Sequence, residues 1–185
     1  MKAIIDTSSL ISMVRYYSPF DNKDALHNYV VKKIETGDFI VLDKVADECK
    51  NTAKSIVVNT FEEINHSVHC VNTKSLLPTK SFFGLLDNNF INKIQRNKIT
   101  DAEFEVMKGE FIESGDGAII MYSMSCQKKG DNDVIVVTEE TSTNNDGKSF
   151  KKLPLLCKII DVPCITLPDL LQRCNGIKFS INTNI

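Results

Sequence analysis

The chain of 185 residues has no tryptophan and only three arginines, at 15, 96 and 173. It has no C-x-x-C pair and no histidine array beside its cysteines, so the short repeated ligand spacings of a structural zinc site are missing. The six cysteines, at 49, 70, 126, 157, 164 and 174, are too thinly spread for a small disulfide scaffold. Most lie in apolar segments such as Leu155-Leu156-Cys157 and Pro163-Cys164-Ile165, which reads as buried, reduced thiols and predicts a cytoplasmic setting. No apolar run approaches the ~18–20 residues needed to span a bilayer. The opening Met1-Lys2-Ala3-Ile4-Ile5 meets Asp6 too early for the ~7–15-residue apolar core of a signal peptide. No membrane partner is therefore expected. Glycine and proline number only eight and five, which excludes collagen; 42% apolar and 25% charged residues exclude wholesale disorder. Charge of one sign is scarce too: 22 basic against 24 acidic residues give a net −2, which as an average argues against a nucleic-acid partner.

What is present is an alternation of short apolar strands with helical patterns. Ala3-Ile4-Ile5 reads as a buried strand stopping at Asp6, followed by helical spacing of Leu10, Ile11, Met13, Val14 and Tyr17. Residues 24–35 form a second amphipathic pattern, stopped by Gly37. Residues 39–42 read as a strand, 43–50 as a helix, and 134–137 as the clearest strand of all. Pro154 opens a short helix, 163–166 is a strand, and Pro168 sits in the first turn of a last helix. Strands apolar on both faces and separated by helices predict a parallel sheet in an α/β fold.

The middle of the chain, 66–113, lacks strong strands and reads as a helical insertion within a single domain spanning 1–178, with a tail at 179–185. Residues 75–84 look like a loop; 85–96 and 101–113 look helical, the latter with Thr100 as N-cap and Glu103 completing a capping box. Residues 141–152, containing Asn145-Asp146-Gly147, read as a mobile loop, and the last few residues as a fraying end. Charge is uneven. From Thr141 onward the chain carries +3, and the rest −5. Lys148, Lys151 and Lys152 cluster beside the loop, as a solvated rim or as a phosphate-facing patch.

Ligands of parallel α/β sheets bind beyond the carboxyl ends of the strands, so the polar residues there are the first candidates. The first strand ends at Asp6-Thr7-Ser8, and the strongest late strand at Thr138-Glu139-Glu140. Asp116 lies in the first turn of a helix running to about residue 128, three and four positions before the apolar Ile119 and Ile120. Glu48 follows Val45 by three positions, near a buried face. Each acid has a plain alternative, as a helix cap, a dipole partner or a surface group. Together they would repel one another, by about 4 kcal/mol for a pair ~4 Å apart at an effective dielectric of ~20. A hard divalent cation would neutralise such a cluster, and all-oxygen ligands favour Mg²⁺ or Mn²⁺.

At Ile4-Ile5-Asp6-Thr7-Ser8-Ser9-Leu10-Ile11, Val45-Ala46-Asp47-Glu48, Gly115-Asp116-Gly117-Ala118-Ile119-Ile120 and Val136-Val137-Thr138-Glu139-Glu140 the chain resembles the PIN-domain nucleases. The ordered set covers nearly the whole chain and, with the longer middle, is similar to a bacterial PIN subfamily. The resemblance implies a three-layer α/β/α sandwich with a central parallel sheet. It implies metal-dependent hydrolysis of phosphodiester bonds, most often by an endoribonuclease acting on single-stranded RNA. Asp6 would be the first metal ligand, with Ser8 (or Thr7) hydrogen-bonding in the site, and Glu48 and Asp116 the second and third acids. Thr138 and Glu140 match the fourth segment; Glu stands where many members have Asp, and Glu139 competes for the place. Asp47 competes with Glu48 but should point about 100° away on its helix. The family also implies the toxin of a toxin–antitoxin pair, with an antitoxin partner, and a homodimer. Arg15, Lys44, Lys148, Lys151 and Lys152 are candidate phosphate contacts. His27, His66 and His69 match no part of the pattern and read as surface or packing residues.

Three rivals are weaker or silent. A phosphatase of the haloacid-dehalogenase type wants a second acid two residues after Asp6, where Ser8 stands. A receiver-like signalling domain would pair its acids at the end of the first strand. A catalytically silent α/β binding module with the same architecture stays open on residues alone.

Overall fold

The computed structural model describes residues 1–66, 68–142 and 147–177; the expected tail at 179–185 and the Asn145-Asp146 part of the expected loop lie outside them. Four strands, β1 (Lys2–Ile5), β2 (Phe39–Ile40), β3 (Val134–Val137) and β4 (Cys164–Ile165), pair in parallel in the order β2-β1-β3-β4. Every residue of β3 is buried, as are Ala3, Ile4 and Ile5 of β1. That is the burial expected when both faces of a parallel sheet are covered.

Helices α1 (Thr7–Tyr16) and α2 (Ala25–Glu35) link β1 to β2. The long β2-to-β3 connection carries α3 (Asp43–Asn51), α4 (Ile56–Thr60), α5 (Lys80–Leu85), α6 (Lys93–Arg96), α7 (Asp101–Glu113) and α8 (Gly115–Lys128). Helix α9 (Leu153–Ile159) joins β3 to β4, and α10 (Leu167–Arg173) follows β4. Because β2 and β3 lie on opposite sides of β1, helices cover both faces of the sheet. Helices α3, α4 and α10 pack on α1, while α8 packs on α3, α7, α9 and β3. The result is an α/β/α sandwich with an all-parallel sheet. Among the described residues no helix is long and apolar enough to cross a membrane.

The helices begin where local chemistry starts them. Asp6 caps α1 by accepting the Thr7 N–H at 2.7 Å. Thr100 and Glu103 form the expected capping box on α7, and Thr166 and Asp169 form a second on α10. The residues expected to be a loop at 75–84 already turn helical at Lys80, because the Thr79 hydroxyl accepts the Phe82 N–H at 3.1 Å. The helix expected over 85–96 is broken. Leu86–Phe90 is a π-helical turn and Ile91 is extended, since its backbone serves an antiparallel bridge to Phe150. The short helix α4 follows three consecutive residues with positive φ, Ala53, Lys54 and Ser55, a conformation no residue type there announces.

The insertion is tied back to the sheet by aromatic packing. Phe82 meets Phe90 (centroids 6.0 Å apart), Phe90 meets Phe111 (6.3 Å) and Phe111 meets Phe150 (4.7 Å). The Asn92 N–H donates to the Ser149 carbonyl at 2.7 Å and the Lys151 N–H to the Phe90 carbonyl at 2.9 Å. Residues 149–151 are thereby fixed against the insertion.

One glycine makes the α7–α8 corner possible. A Cβ on Gly117 would lie 2.0 Å from the Phe111 carbonyl oxygen, a backbone atom that cannot step aside. Gly109, on the exposed side of α7, has nothing within 4 Å of that position. We expect Gly117→Ala to lower unfolding free energy by about 2 kcal/mol or more through overpacking. Gly109→Ala should raise it by about 0.5–1 kcal/mol through helix propensity; urea titration of the two variants checks both signs.

Candidate functional site

The sheet register places the site. Ile5 pairs with Val137, so the next residues, Asp6 and Thr138, emerge side by side at the carboxyl edge. The chain leaves β1 toward β2 on one side while β3 lies on the other, so this edge is the topological switch point where α/β folds bind ligands. Asp6 is only 5% exposed, and a carboxylate this buried needs compensating donors. It has them. The Ser8 hydroxyl donates to Oδ2 at 2.6 Å, the Thr138 hydroxyl donates to the same oxygen at 2.8 Å, and the Thr7 N–H donates to Oδ1. The Ser8 and Thr138 hydroxyls lie 3.1 Å apart, and the Ser8 oxygen accepts the Glu139 N–H at 3.0 Å. The three residues expected to meet here do so, and Asp6 is helix cap and site residue at once.

Glu48, on α3, bridges two further elements. Its Oε2 accepts the Thr7 hydroxyl at 2.7 Å and its Oε1 accepts the Gly115 N–H at 2.7 Å. The second bond holds the start of α8, and with it Asp116, against the β1 edge. Gly115 allows this approach, since a Cβ there would stand 2.6 Å from the Glu48 Oε2. Thr7 and Gly115 thus belong to the site as positioning residues; in the sequence, the glycine beside Asp116 was the only signal for one of them, and Thr7 stood as an alternative to Ser8.

The three residues after β3 diverge. Thr138 goes to Asp6, the Glu139 carboxylate accepts the Leu167 N–H at the start of α10 (2.7 Å), and Glu140 Oε2 accepts the Leu153 N–H at the start of α9 (3.0 Å). The Glu140 charge acts on both Asp6 and Asp116. Lys148 lies 3.5 Å from Glu140 and also acts on Asp116. Lys148, Lys151 and Lys152 share with Asp116 a groove of about 330 Å³ between α7 and residues 148–152.

Other candidates sit elsewhere. Arg15 is exposed in the last turn of α1, about 13 Å along the axis from Asp6 at ~1.5 Å per residue, so it does not stand at the strand edge. Lys44 is paired with Glu113 across the α3–α7 junction. Asp47 is exposed and paired with Lys50, leaving Glu48 as the inward acid of its helix. His27 packs its ring on Phe61, with centroids 5.2 Å apart, and His66 and His69 lie at a surface turn. All six cysteines are free thiols; Cys49, Cys126 and Cys157 are buried and the other three half-buried.

The electrostatics follow from burial and crowding. Burial pushes the Asp6 carboxyl above its ordinary range against the pull of its hydroxyl donors, and Glu140 adds to the rise. Asp116 is pushed up to about 8, first by burial and then by the charges of Asp6, Glu140 and Glu48, while Lys148 pulls the other way. The carboxylates of Asp6 and Asp116 would offer oxygen ligands, which suit a hard divalent cation. Among the described residues no group of three or more His, Cys, Asp or Glu side chains is already drawn together as a metal cage.

An acid with raised folded-state proton affinity binds more protons folded than unfolded, so its contribution is full below its ordinary value near 4 and is lost as pH rises toward about 8. Asp116→Asn should therefore raise Tm in metal-free buffer by about 3 °C or more at pH 8, since ~1 kcal/mol moves Tm by ~2–4 °C at this size. The gap should shrink toward zero at pH 4.5 in thermal melts of both proteins.

No curated protein and no solved structure matches the chain. Residues 4–179 match a family model described as a domain of unknown function, DUF4411. That match takes in the end of β1, the whole insertion and α10, so every residue of the cluster described above lies inside it, and the chain belongs to the DUF4411 family.

Proposed function

We propose that the chain is a divalent-metal-dependent nuclease that hydrolyses phosphodiester bonds, an endoribonuclease acting on single-stranded RNA in the reducing cytoplasm. The observation that carries this reading is geometric: the Asp6 carboxylate is held by Ser8 and Thr138 at the carboxyl edge of the sheet, and Glu48 holds Gly115, and with it Asp116, against the same edge. Carboxylates brought to the switch point of a parallel sheet, with lysines in the adjoining groove, make a site where a cation and a phosphate would both find partners. Mg²⁺ or Mn²⁺ suits it. Asp6 and Asp116 would hold the ion, with Glu48 and Glu140 beside them. Such a cation supplies Lewis-acid stabilisation of a phosphoryl oxygen and lowers the pKa of water.

The chain's own groups do the positioning. The Ser8 and Thr138 hydroxyls fix the Asp6 carboxylate so that its orientation is set before anything binds. Glu48 fixes the start of α8 and so the place of Asp116. Glu140, anchored on α9, holds Lys148 at the rim, where an ammonium suits a phosphate. The likeness of the four segments to PIN-domain nucleases supports the same assignment. The toxin role, an antitoxin partner and a homodimer rest on that likeness alone; a small adjacent reading frame for a DNA-binding protein would favour the pair.

A second reading has one observation behind it: both Glu48 oxygens and one Glu140 oxygen are already taken by donors of the chain itself. That favours a catalytically silent binding module in which the two glutamates are structural.

Cleavage of a single-stranded RNA in the presence of Mn²⁺ or Mg²⁺ separates the two. We expect Asp6→Asn and Asp116→Asn each to reduce the rate about 100-fold or more, the order seen when transition-state charge stabilisation is removed, with the fold intact by circular dichroism. Cleavage unchanged in both would sink the site assignment, and a flat Mn²⁺ calorimetric titration of the parent chain would favour the silent module. Gly115→Ala should fold, because only the end of the flexible Glu48 side chain must move, yet cut the rate about tenfold by displacing Glu48.

A further inference from the structure

The groove beside Asp116 has two unlike kinds of lining. Its apolar lining is Met107 and Phe111 of α7 and Phe150, whose ring also stacks on Phe104. Its charged lining is Lys148, Lys151 and Lys152 together with Glu110. The walls are fixed rather than loose: the Ile91–Phe150 bridge and the Phe111–Phe150 ring contact lock residues 149–151 against the insertion. At about 330 Å³ the groove lies in the ~300–1,000 Å³ range of small-molecule sites, the scale of one nucleotide. Aromatic rings beside lysines are the combination that holds single strands, since unstacked bases lie on rings while lysines follow phosphates. A duplex keeps its bases stacked inside and cannot offer one to the rings. Glu110 adds a chemical filter. A carboxylate placed at the exocyclic amino group of cytosine or adenine accepts a hydrogen bond from it, whereas uracil has a carbonyl oxygen, which the carboxylate repels, in place of the amino group of cytosine.

We propose that this groove seats the RNA nucleotide next to the scissile phosphate: its base lies on Met107, Phe111 and Phe150, its phosphate meets Lys151 and Lys152, and Glu110 selects an amino-bearing base over uracil. The inference rests on the nuclease reading for its geometry relative to Asp116, because Asp116 lines both the groove and the carboxylate cluster. It deepens that reading by naming the path of the strand and a base preference. Lys151 now donates to the Asn89 carbonyl at 2.5 Å, and its ammonium has further protons to give a phosphate.

The test is binding without chemistry. Fluorescein-labelled oligocytidine and oligouridine octamers are titrated into the full chain in EDTA by fluorescence anisotropy, across a salt series. We expect the cytidine octamer to bind about fivefold or more tighter, and Glu110→Gln to shrink that ratio toward one. Lys151→Ala should weaken both octamers and lower the salt slope by about 0.7, the value for one phosphate contact on a single strand, while Lys151→Arg restores both. Lys158→Ala, an exposed lysine outside the groove, serves as the charge-matched control and should change neither. Equal affinity for the two octamers in the parent chain, or a Lys151→Ala effect no larger than the control's, would overturn the proposal, as would no binding at all. Metal-dependent hydrolysis of bis(p-nitrophenyl) phosphate, in the parent chain and Asp6→Asn, reads the reaction separately, since that substrate offers no nucleobase. Hydrolysis with no groove-dependent binding would overturn this inference and leave the nuclease reading; groove-dependent binding without hydrolysis would do the reverse.

Discussion

A carboxylate buried at the end of the central strand constrains everything around it. Asp6 has almost no access to water, so its oxygens must be satisfied by the protein. The Thr7 N–H comes free with the start of α1, but Ser8 and Thr138 must be brought from the next turn and the next strand. Thr138 can reach only if β1 and β3 are paired in the register that sets Ile5 against Val137. A shift by one residue would turn the alternate side chains of β3 to the other face and leave the charge without its donor. The sheet register and the Asp6 network therefore specify each other.

From this point the three residues after β3 organise both helical layers. Glu139 caps α10 on one side and Glu140 caps α9 on the other, each setting a negative charge against a helix N-terminus where the dipole favours it. Glu48 performs a similar task between α1 and α8. The acids that crowd Asp116 are thus fixed by structural hydrogen bonds. They cannot swing away from Asp116, and their charges add to the burial that raises its proton affinity.

The insertion plays a different part. Its aromatic residues Phe82, Phe90 and Phe111 join the core that holds the strands, and they also hold residues 149–151, which sets where the lysines stand relative to Asp116. The net charge of −2 hides this division. Acids occupy the strand edge while lysines border the groove beside it, and averaging the two leaves almost nothing.

The sequence by itself determined the four strands and the helices that flank them, because those signals are local: short apolar runs, cap residues, and a proline at a first turn. It also determined that Asp47 would face away from Glu48, since helical geometry alone places neighbours about 100° apart. Only the tertiary structure sends Glu139 to the start of α10 and Glu140 to the start of α9, because adjacent residues leaving a strand can point to either layer and their partners are far along the chain. The structure alone also broke the helix expected over 85–96, where Ile91 gives its backbone to Phe150 across nearly sixty residues of sequence. It moved Arg15 out of the site through helix length and tied Lys44 to Glu113. Pairings of that kind depend on where distant segments come to rest, and no residue's own propensity encodes them.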